Sequence, residues 1–206
     1  MASTLKVDTI ESTTGTSYLS AGTLDNVTLG SSVTGTSVAG NQILISTQTA
    51  DASASITFSS SSVTDTYDDY ILDIADAVPS ISSGRPRIAF SIDNSTDLTG
   101  CYSGHIYIKV SAAETAPAAA ANVAYAEIGQ VVSNVVAEGG FSSRVLLHGL
   151  RNTYGYKYGS FLTISNDYAW YGGFKLPTTS AINYLRFFYS NGNIAEGVFN
   201  LYGIKK

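Results

Sequence analysis

The chain has 206 residues, and only 13% of them are charged, against about 25% in an average soluble protein. Its net charge of -5 argues against a sequence-independent nucleic-acid binder, which needs a basic surface. The single cysteine, Cys101, excludes an intrachain disulfide, and no apolar stretch approaches the roughly 18 residues that span a membrane. We therefore expect no nucleic-acid partner and no membrane insertion.

Residues 1–40 differ in composition from the rest of the chain. Residues 1–66 contain only two aromatic residues, Tyr18 and Phe58, and a segment so poor in large side chains cannot close a globular core alone. A glycine, a hydroxyl residue and an apolar residue recur together three times within residues 1–40. We predict an extended, β-rich arm or stalk over residues 1–40 that packs against other chains. A flexible Ser/Gly linker is the alternative.

Residues 41–206 show the pattern of an all-β domain. Short alternating runs are separated by turn signals such as Asn191-Gly192, and one run places Ile106, Ile108 and Val110 on a single face. About ten strands at this spacing predict a β-sandwich, most specifically a jelly roll, with almost no helix. The alanine-rich residues 112–121 contain a proline, so we predict a surface loop with one short turn there.

The sequence offers little for catalysis. His105 and His148 each lie in a strand pattern, no metal-ligand spacing is present, and no glycine-rich phosphate loop precedes a helix. An acidic cluster lacks the spacing of a calcium loop and is best explained as a solvated strand face, although the sequence leaves cation binding there open. It comprises Asp65, Asp68, Asp69, Asp73 and Asp76. We expect no enzymatic activity, no cofactor and no catalytic or metal-binding residues.

Two aromatic groups are the best candidates for an outward binding surface. Tyrosine and tryptophan bury apolar area while keeping a hydrogen-bonding tip, so they suit interfaces and sugar rings. Both groups flank turn-like sequence, where binding surfaces usually lie. The alternative is packing inside the sandwich or between subunits. The candidates are Tyr154, Tyr156, Tyr158, Tyr168, Trp170 and Tyr171.

Both ends of the chain resemble known proteins. Residues 3–10 (STLKVDTI) and 12–15 (STTG) are similar to the start of many fibre-like virion proteins of tailed bacteriophages, especially those of cyanobacterial and marine phages. Residues 197–205 (GVFNLYGIK) resemble the closing strand of the β-sandwich heads on such proteins. The long repetitive shaft that is common in tail fibres is missing.

The resemblance implies a non-enzymatic structural protein of the virion, a homotrimer, and an N-terminal segment that docks into the particle. Within that family, the chain is expected to be a short tail fibre or receptor-binding component that faces a host-surface glycan. The alternative is a capsid decoration protein that clamps neighbouring capsid subunits. The partners are therefore further copies of the chain and other tail or capsid proteins. In the arm, Leu5, Val7 and Ile10 are the expected apolar anchors.

A protein of another class, a carbohydrate-binding module or surface adhesin, is the least favoured interpretation. The first residues lack the apolar region of a secretory signal, and a phage protein leaves its host by lysis. The expected location is thus the virion, after synthesis in the host cytoplasm.

Overall fold

The computed structural model describes residues 42–109, 114–138, 140–166 and 168–204. The predicted arm over residues 1–40, with its proposed anchors Leu5, Val7 and Ile10, lies outside these residues. No helix within the described ranges is long and apolar enough to span a membrane.

The described residues form twelve β-strands and one short 3-10 helix, Val136–Glu138, and contain no α-helix. The prediction of an all-β domain is therefore confirmed. The strands are β1 (Gln42–Ser53), β2 (Ile56–Phe58), β3 (Asp69–Pro79), β4 (Pro86–Ser91), β5 (Cys101–Lys109), β6 (Glu114–Val123), β7 (Ala126–Glu127), β8 (Phe141–His148), β9 (Lys157–Ser165), β10 (Tyr168–Leu176), β11 (Tyr184–Tyr189) and β12 (Ile194–Ile204).

The strands form two antiparallel sheets. The large sheet has the order β1-β12-β3-β8-β9-β10-β5-β6, and the small sheet has the order β2-β11-β4-β7. Eight strands remain when the hairpins β5–β6 and β9–β10 are left out. Numbered in chain order, these eight strands have the order first-eighth-third-sixth in the large sheet and second-seventh-fourth-fifth in the small sheet. This alternation between sheets is the strand order of a jelly roll. We call these eight strands the jelly-roll half.

The hairpins β5–β6 and β9–β10 widen the large sheet beyond the small one. Strand β10 pairs with both β9 and β5, so the two hairpins form a continuous four-stranded addition next to β8. We call these four strands the extension. Residues 128–131, which belong to neither sheet, cover part of the inner face of the extension. Thr163 donates to the Ile128 carbonyl oxygen at 3.0 Å, and His105 lies 3.2 Å from Gln130.

The core lies between the two sheets and is rich in aromatic rings. Phe187 of β11 has its ring centroid 6.0 Å from that of Phe141 in β8 and 4.9 Å from that of Phe199 in β12. Phe90 of β4 meets Phe174 of β10 at 5.5 Å. Contacts between strands of opposite sheets are what the inward positions of a sandwich provide, so these rings join the sheets.

The prediction of a surface loop in the alanine-rich run is wrong. The alanine-rich run, predicted as a surface loop, is the edge strand β6, in which Pro117 is opposite Ile106 of β5. A proline cannot donate a ladder hydrogen bond, but an edge strand has a free side on which no donor is needed. The sequence rule against proline in strands thus applies to central strands and not to this edge.

Candidate binding surface

The outward face of the extension carries large apolar side chains. The strand register places Tyr171 of β10 between Ile106 of β5 and Leu162 of β9, and it places Ala169 between Ile108 and Ile164. Exposed fractions of the four aliphatic side chains run from 38% for Ile108 to 57% for Ile164. We call Ile106, Ile108, Leu162, Ile164 and Tyr171 the apolar face.

At the other end of the same outward surface, tyrosines gather around one lysine. Lys175 of β10 pairs with Tyr102 of β5 and Tyr158 of β9. Its Nζ atom lies 5.1 Å from the ring centroid of Tyr102 and 5.9 Å from that of Tyr156. An ammonium within about 6 Å of an aromatic face is attracted by the ring quadrupole. We call Tyr102, Tyr156, Tyr158 and Lys175 the tyrosine cluster.

A buried lysine holds the loop that leads into the tyrosine cluster. Lys157 is fully buried, and its Nζ atom donates to the carbonyl oxygens of Asn152 (2.8 Å), Gly155 (2.8 Å) and Thr178 (3.2 Å) and to Asn152 Oδ1 (3.1 Å). Burial lowers the pKa of this ammonium. Because three backbone carbonyls converge on one cation, the backbone that carries Tyr154 and Tyr156 has a fixed path.

The predicted aromatic residues do not all lie on one surface. Tyr154, Tyr156, Tyr158 and Tyr171 are exposed, by 87%, 47%, 52% and 49% respectively. Tyr168 is half-buried and Trp170 is fully buried, so the prediction of an outward role for Trp170 is wrong. Residues 168–176 form strand β10 rather than a turn, and successive side chains of a strand point to opposite faces. Tyr171 therefore points outward while Trp170 packs inside.

A concave site lies on the inner side of the extension. Between β6, β10 and the covering residues 128–131 is a cavity of about 390 Å³. The ring of Tyr107 meets that of Tyr168 edge-on at 5.7 Å, and Lys109 Nζ lies 5.9 Å from the Tyr168 ring centroid. The lining residues are Tyr107, Ala116, Pro117, Ala118, Gln130, Val131 and Tyr168.

The carboxylates of the acidic cluster make separate contacts. Asp65 accepts from Arg151 at 2.6 Å, Asp69 accepts from the backbone N–H of Gly149 at 2.8 Å, and Asp73 lies 3.7 Å from Arg144. Among the described residues, no group of three acidic, histidine or cysteine side chains is placed to hold a metal ion. Asp73 is opposite Arg144 of β8, and Asp69 Oδ2 lies 3.5 Å from His148 Nδ1, so both carboxylates lie on the outward face of β3.

The titratable groups beneath the extension are buried. His105 is only 6% exposed, its Nε2 atom lies 3.2 Å from Nε2 of Gln130, and burial lowers its pKa. In the tautomer with Nε2 unprotonated, this nitrogen accepts from the Gln130 amide. Burial also raises the pKa of the Cys101 thiol to about 12. Both groups therefore serve as uncharged packing rather than as reactive side chains at a surface.

Sequence reasoning missed several residues of this surface. Tyr102 and Lys175 come from strands far apart in the chain, and only the sheet register brings them to Tyr158. Lys157 stands between two tyrosines in the sequence, and nothing in its local pattern indicates that it is buried. The alternation of Ile106 and Ile108 was visible, but periodicity cannot tell which face of a strand meets the core.

Comparison of the chain with protein-family models, with curated proteins and with solved structures finds no match.

Proposed function

We propose that this chain is a non-enzymatic structural protein of a bacteriophage virion, acting as a short tail fibre or receptor-binding component. Residues 1–40 attach it to the particle through Leu5, Val7 and Ile10, and the β-sandwich faces the host. The resemblance of residues 3–15 and 197–205 to fibre-like virion proteins supports this role, and a compact sandwich suits a terminal head.

The tyrosine cluster is the observation that carries the proposal. Tyr156 and Tyr158 are about half exposed, and Lys175 lies between neighbouring rings. Tyrosine faces stack on the apolar faces of sugar rings, the phenol groups hydrogen-bond to sugar hydroxyls, and an ammonium pairs with acidic sugars. The ligand class that fits is a host-surface glycan, with acidic sugars favoured.

Self-association belongs to the same proposal. The resemblance implies a homotrimer, which presents several copies of the tyrosine cluster to one cell surface. A single exposed aromatic site binds weakly, but linked sites raise the effective concentration and can strengthen attachment by about 10² to 10⁴. Repetition therefore turns a modest glycan site into firm adsorption.

A capsid decoration protein is the second candidate. The apolar face favours it, because an uncharged, exposed sheet surface is also suited to lie on neighbouring capsid subunits. In that role the arm and the head would both contact the shell.

The arm is tested by deleting residues 2–14 and measuring incorporation into phage particles. We expect a folded head that no longer joins particles. Normal incorporation would show that the arm is not the anchor. Poor incorporation together with fragile capsids would replace the fibre role by the decoration role.

The tyrosine cluster is tested by the double substitution Tyr156→Ala and Tyr158→Ala. We expect normal assembly and adsorption to host cells reduced by about tenfold, since two ring contacts of roughly 0.5–1.5 kcal/mol each are lost. Tyr202→Ala is the matched control, because Tyr202 lies on the outward face of the large sheet opposite Leu44, far from the cluster. Equal adsorption of all three proteins would contradict the receptor-binding role.

A further inference from the structure

We infer that the apolar face is the contact surface between copies of this chain. The inference deepens the self-association that forms part of the proposed function, and it rests on that part alone. It assigns to the extension a role in assembly that is separate from the tyrosine cluster.

The extension lacks the polar outer face of an ordinary sheet. An antiparallel sheet with one solvated face normally places apolar residues inside and polar residues outside. In β9 the inward residues include Phe161, Thr163 and Ser165, which are at most 8% exposed, while the outward Leu162 and Ile164 are 56% and 57% exposed. The inward Thr163 hydroxyl is satisfied by Ser143 at 2.7 Å and by the Ile128 carbonyl oxygen at 3.0 Å.

Strand β5 repeats this pattern. Its inward positions include Cys101, Ser103 and His105, which are at most 6% exposed, whereas the outward Ile106 and Ile108 are 41% and 38% exposed. Strands β5 and β9, which flank β10, thus both place their large aliphatic residues on the same solvent-facing surface. Burying such a surface against a partner removes it from water, which the monomer does not achieve.

The surface is almost free of charge. Within the described ladders of β6, β5, β10 and β9, Lys175 is the one charged residue at an outward position, and it lies at the tyrosine-cluster end. The strands that follow β9 in the large sheet carry charges on this face: β8 presents Arg144 and β3 presents Asp73. A charged partner therefore finds no complementary group on the apolar face, whereas an equally uncharged sheet face does match it.

A second copy of this chain supplies a matching shape. The row of large side chains Ile106, Tyr171 and Leu162 lies beside a row of small residues, Gly104, Gly173 and Ser160. Rows two residues apart along a strand are separated by about 7 Å. Around a three-fold axis, each copy can place its large row against the small row of the next copy. The two rows then supply the two different halves of a contact that closes as a trimer.

The size of the surface also favours an interface. Three strands about 4.8 Å apart and six residues of about 3.4 Å each give a footprint of roughly 300 Å² per copy. The largest exposed patch on a typical monomer covers about 300–600 Å², and such patches are often functional.

The test is the mass in solution of the full chain carrying Leu162→Lys. The wild type is expected to have a multiple of the 21.7 kDa chain mass by light scattering at micromolar concentration. The variant is expected to fall to the single-chain mass, with self-association weakened by about 100-fold or more, because a lysine there becomes an unpaired buried charge. Val136→Lys is the matched control, since Val136 is 57% exposed in the 3-10 helix, and it should keep the wild-type mass.

The outcomes separate the inference from the proposed function. A multiple mass for both wild type and Leu162→Lys overturns the inference while leaving self-association intact. A wild type that is monomeric overturns both the inference and the homo-oligomer part of the proposed function. Incorporation into particles, measured separately, decides the virion role in either case.

A second measurement does not depend on introducing a charge. Because Cys101 is buried and its pKa is raised to about 12, the variants Leu162→Cys and Val136→Cys each carry one reactive thiol. Modification by a maleimide reagent should be slower by about tenfold in Leu162→Cys, where the partner covers the thiol. Equal rates in the two variants would overturn the inference.

Discussion

The jelly-roll half and the extension differ in where their large aliphatic side chains lie, although they share one continuous sheet. In the jelly-roll half, rings such as Phe187 and Phe199 are fully buried between the sheets. In the extension, Leu162 and Ile164 face solvent while Thr163 points inward. The comparison shows that an apolar strand face need not lie in the core of its own chain.

The largest expected effect concerns the jelly-roll half. Phe187→Ala removes a ring that packs on Phe141, Tyr189 and Phe199. We expect the free energy of unfolding to fall by about 3–5 kcal/mol, because the substitution leaves a cavity between two sheets. Urea denaturation followed by tryptophan fluorescence measures the change. A loss under about 1 kcal/mol would mean that the core repacks and that the contrast between regions is weaker than proposed.

A smaller loss of stability is expected at Lys157, where the loop of residues 149–156 leads into strand β9 of the extension. Lys157→Met removes the cation but keeps much of the apolar stem, so the carbonyl oxygens of Asn152 and Gly155 lose their donor. We expect a destabilisation of about 2–3 kcal/mol, the penalty for leaving buried polar groups unsatisfied. Hydrogen exchange should become faster across residues 149–156. Unchanged exchange there would show that the loop holds its path without the lysine.

His105, on the inner side of the extension, should make the stability of the fold depend on pH. Burial lowers the pKa of His105 in the folded chain below its ordinary value of about 6.5, so protonation favours the unfolded chain. The stabilisation is complete above about pH 6.5 and is lost as the pH falls from there toward the folded pKa.

The measurement is the denaturation midpoint between about pH 7.5 and 5, compared between wild type and His105→Gln. The wild type should lose more stability over this interval than the variant, which has no imidazole to protonate. Parallel pH profiles would show that His105 does not couple folding to protonation, and the extension would then lack this feature.

The smallest effect on folding is expected on the apolar face itself. Leu162→Ser changes a side chain that is 56% exposed in one chain, so unfolding of dissociated chains should shift by less than about 0.5 kcal/mol. Ile56→Ser, at a buried residue of β2, should lower the free energy of unfolding several times more. Comparable losses at the two positions would remove the distinction between the regions.

The sequence was sufficient for the fold class and for much of the sheet. Alternating runs and turn signals predicted the sandwich, and the run from residue 182 to 189 contains the central strand β11. The edge strand β6 was missed because Pro117 is a strong breaker signal, and only the position at a sheet edge makes it harmless. Strand β10 contains Gly172 and Gly173 in its interior, and adjacent glycines are a turn signal in a sequence.

The candidate surface was less accessible to sequence reasoning. Tyr154, Tyr156 and Tyr158 could be proposed as exposed from their spacing beside turn residues. Trp170 points inward because of its place in the alternation of β10. An alternating pattern separates the two faces of a strand but does not show which face meets the core. Lys175 joins the tyrosines through pairing with β5, a strand more than sixty residues away, which no local pattern encodes.

The pairing of β1 with β12 also has a consequence for the order of folding. Among the described residues, β12 is the one strand hydrogen-bonded to β1, and the ladder joins Gln42 to Ile204 and Ser53 to Ile194. During synthesis at about 5–20 residues per second, about 150 further residues must be added before β12 is complete, so β1 stays without its neighbour for roughly 8 to 30 s. The large sheet closes late, and until then β1 is an unpaired strand that is available for wrong pairing.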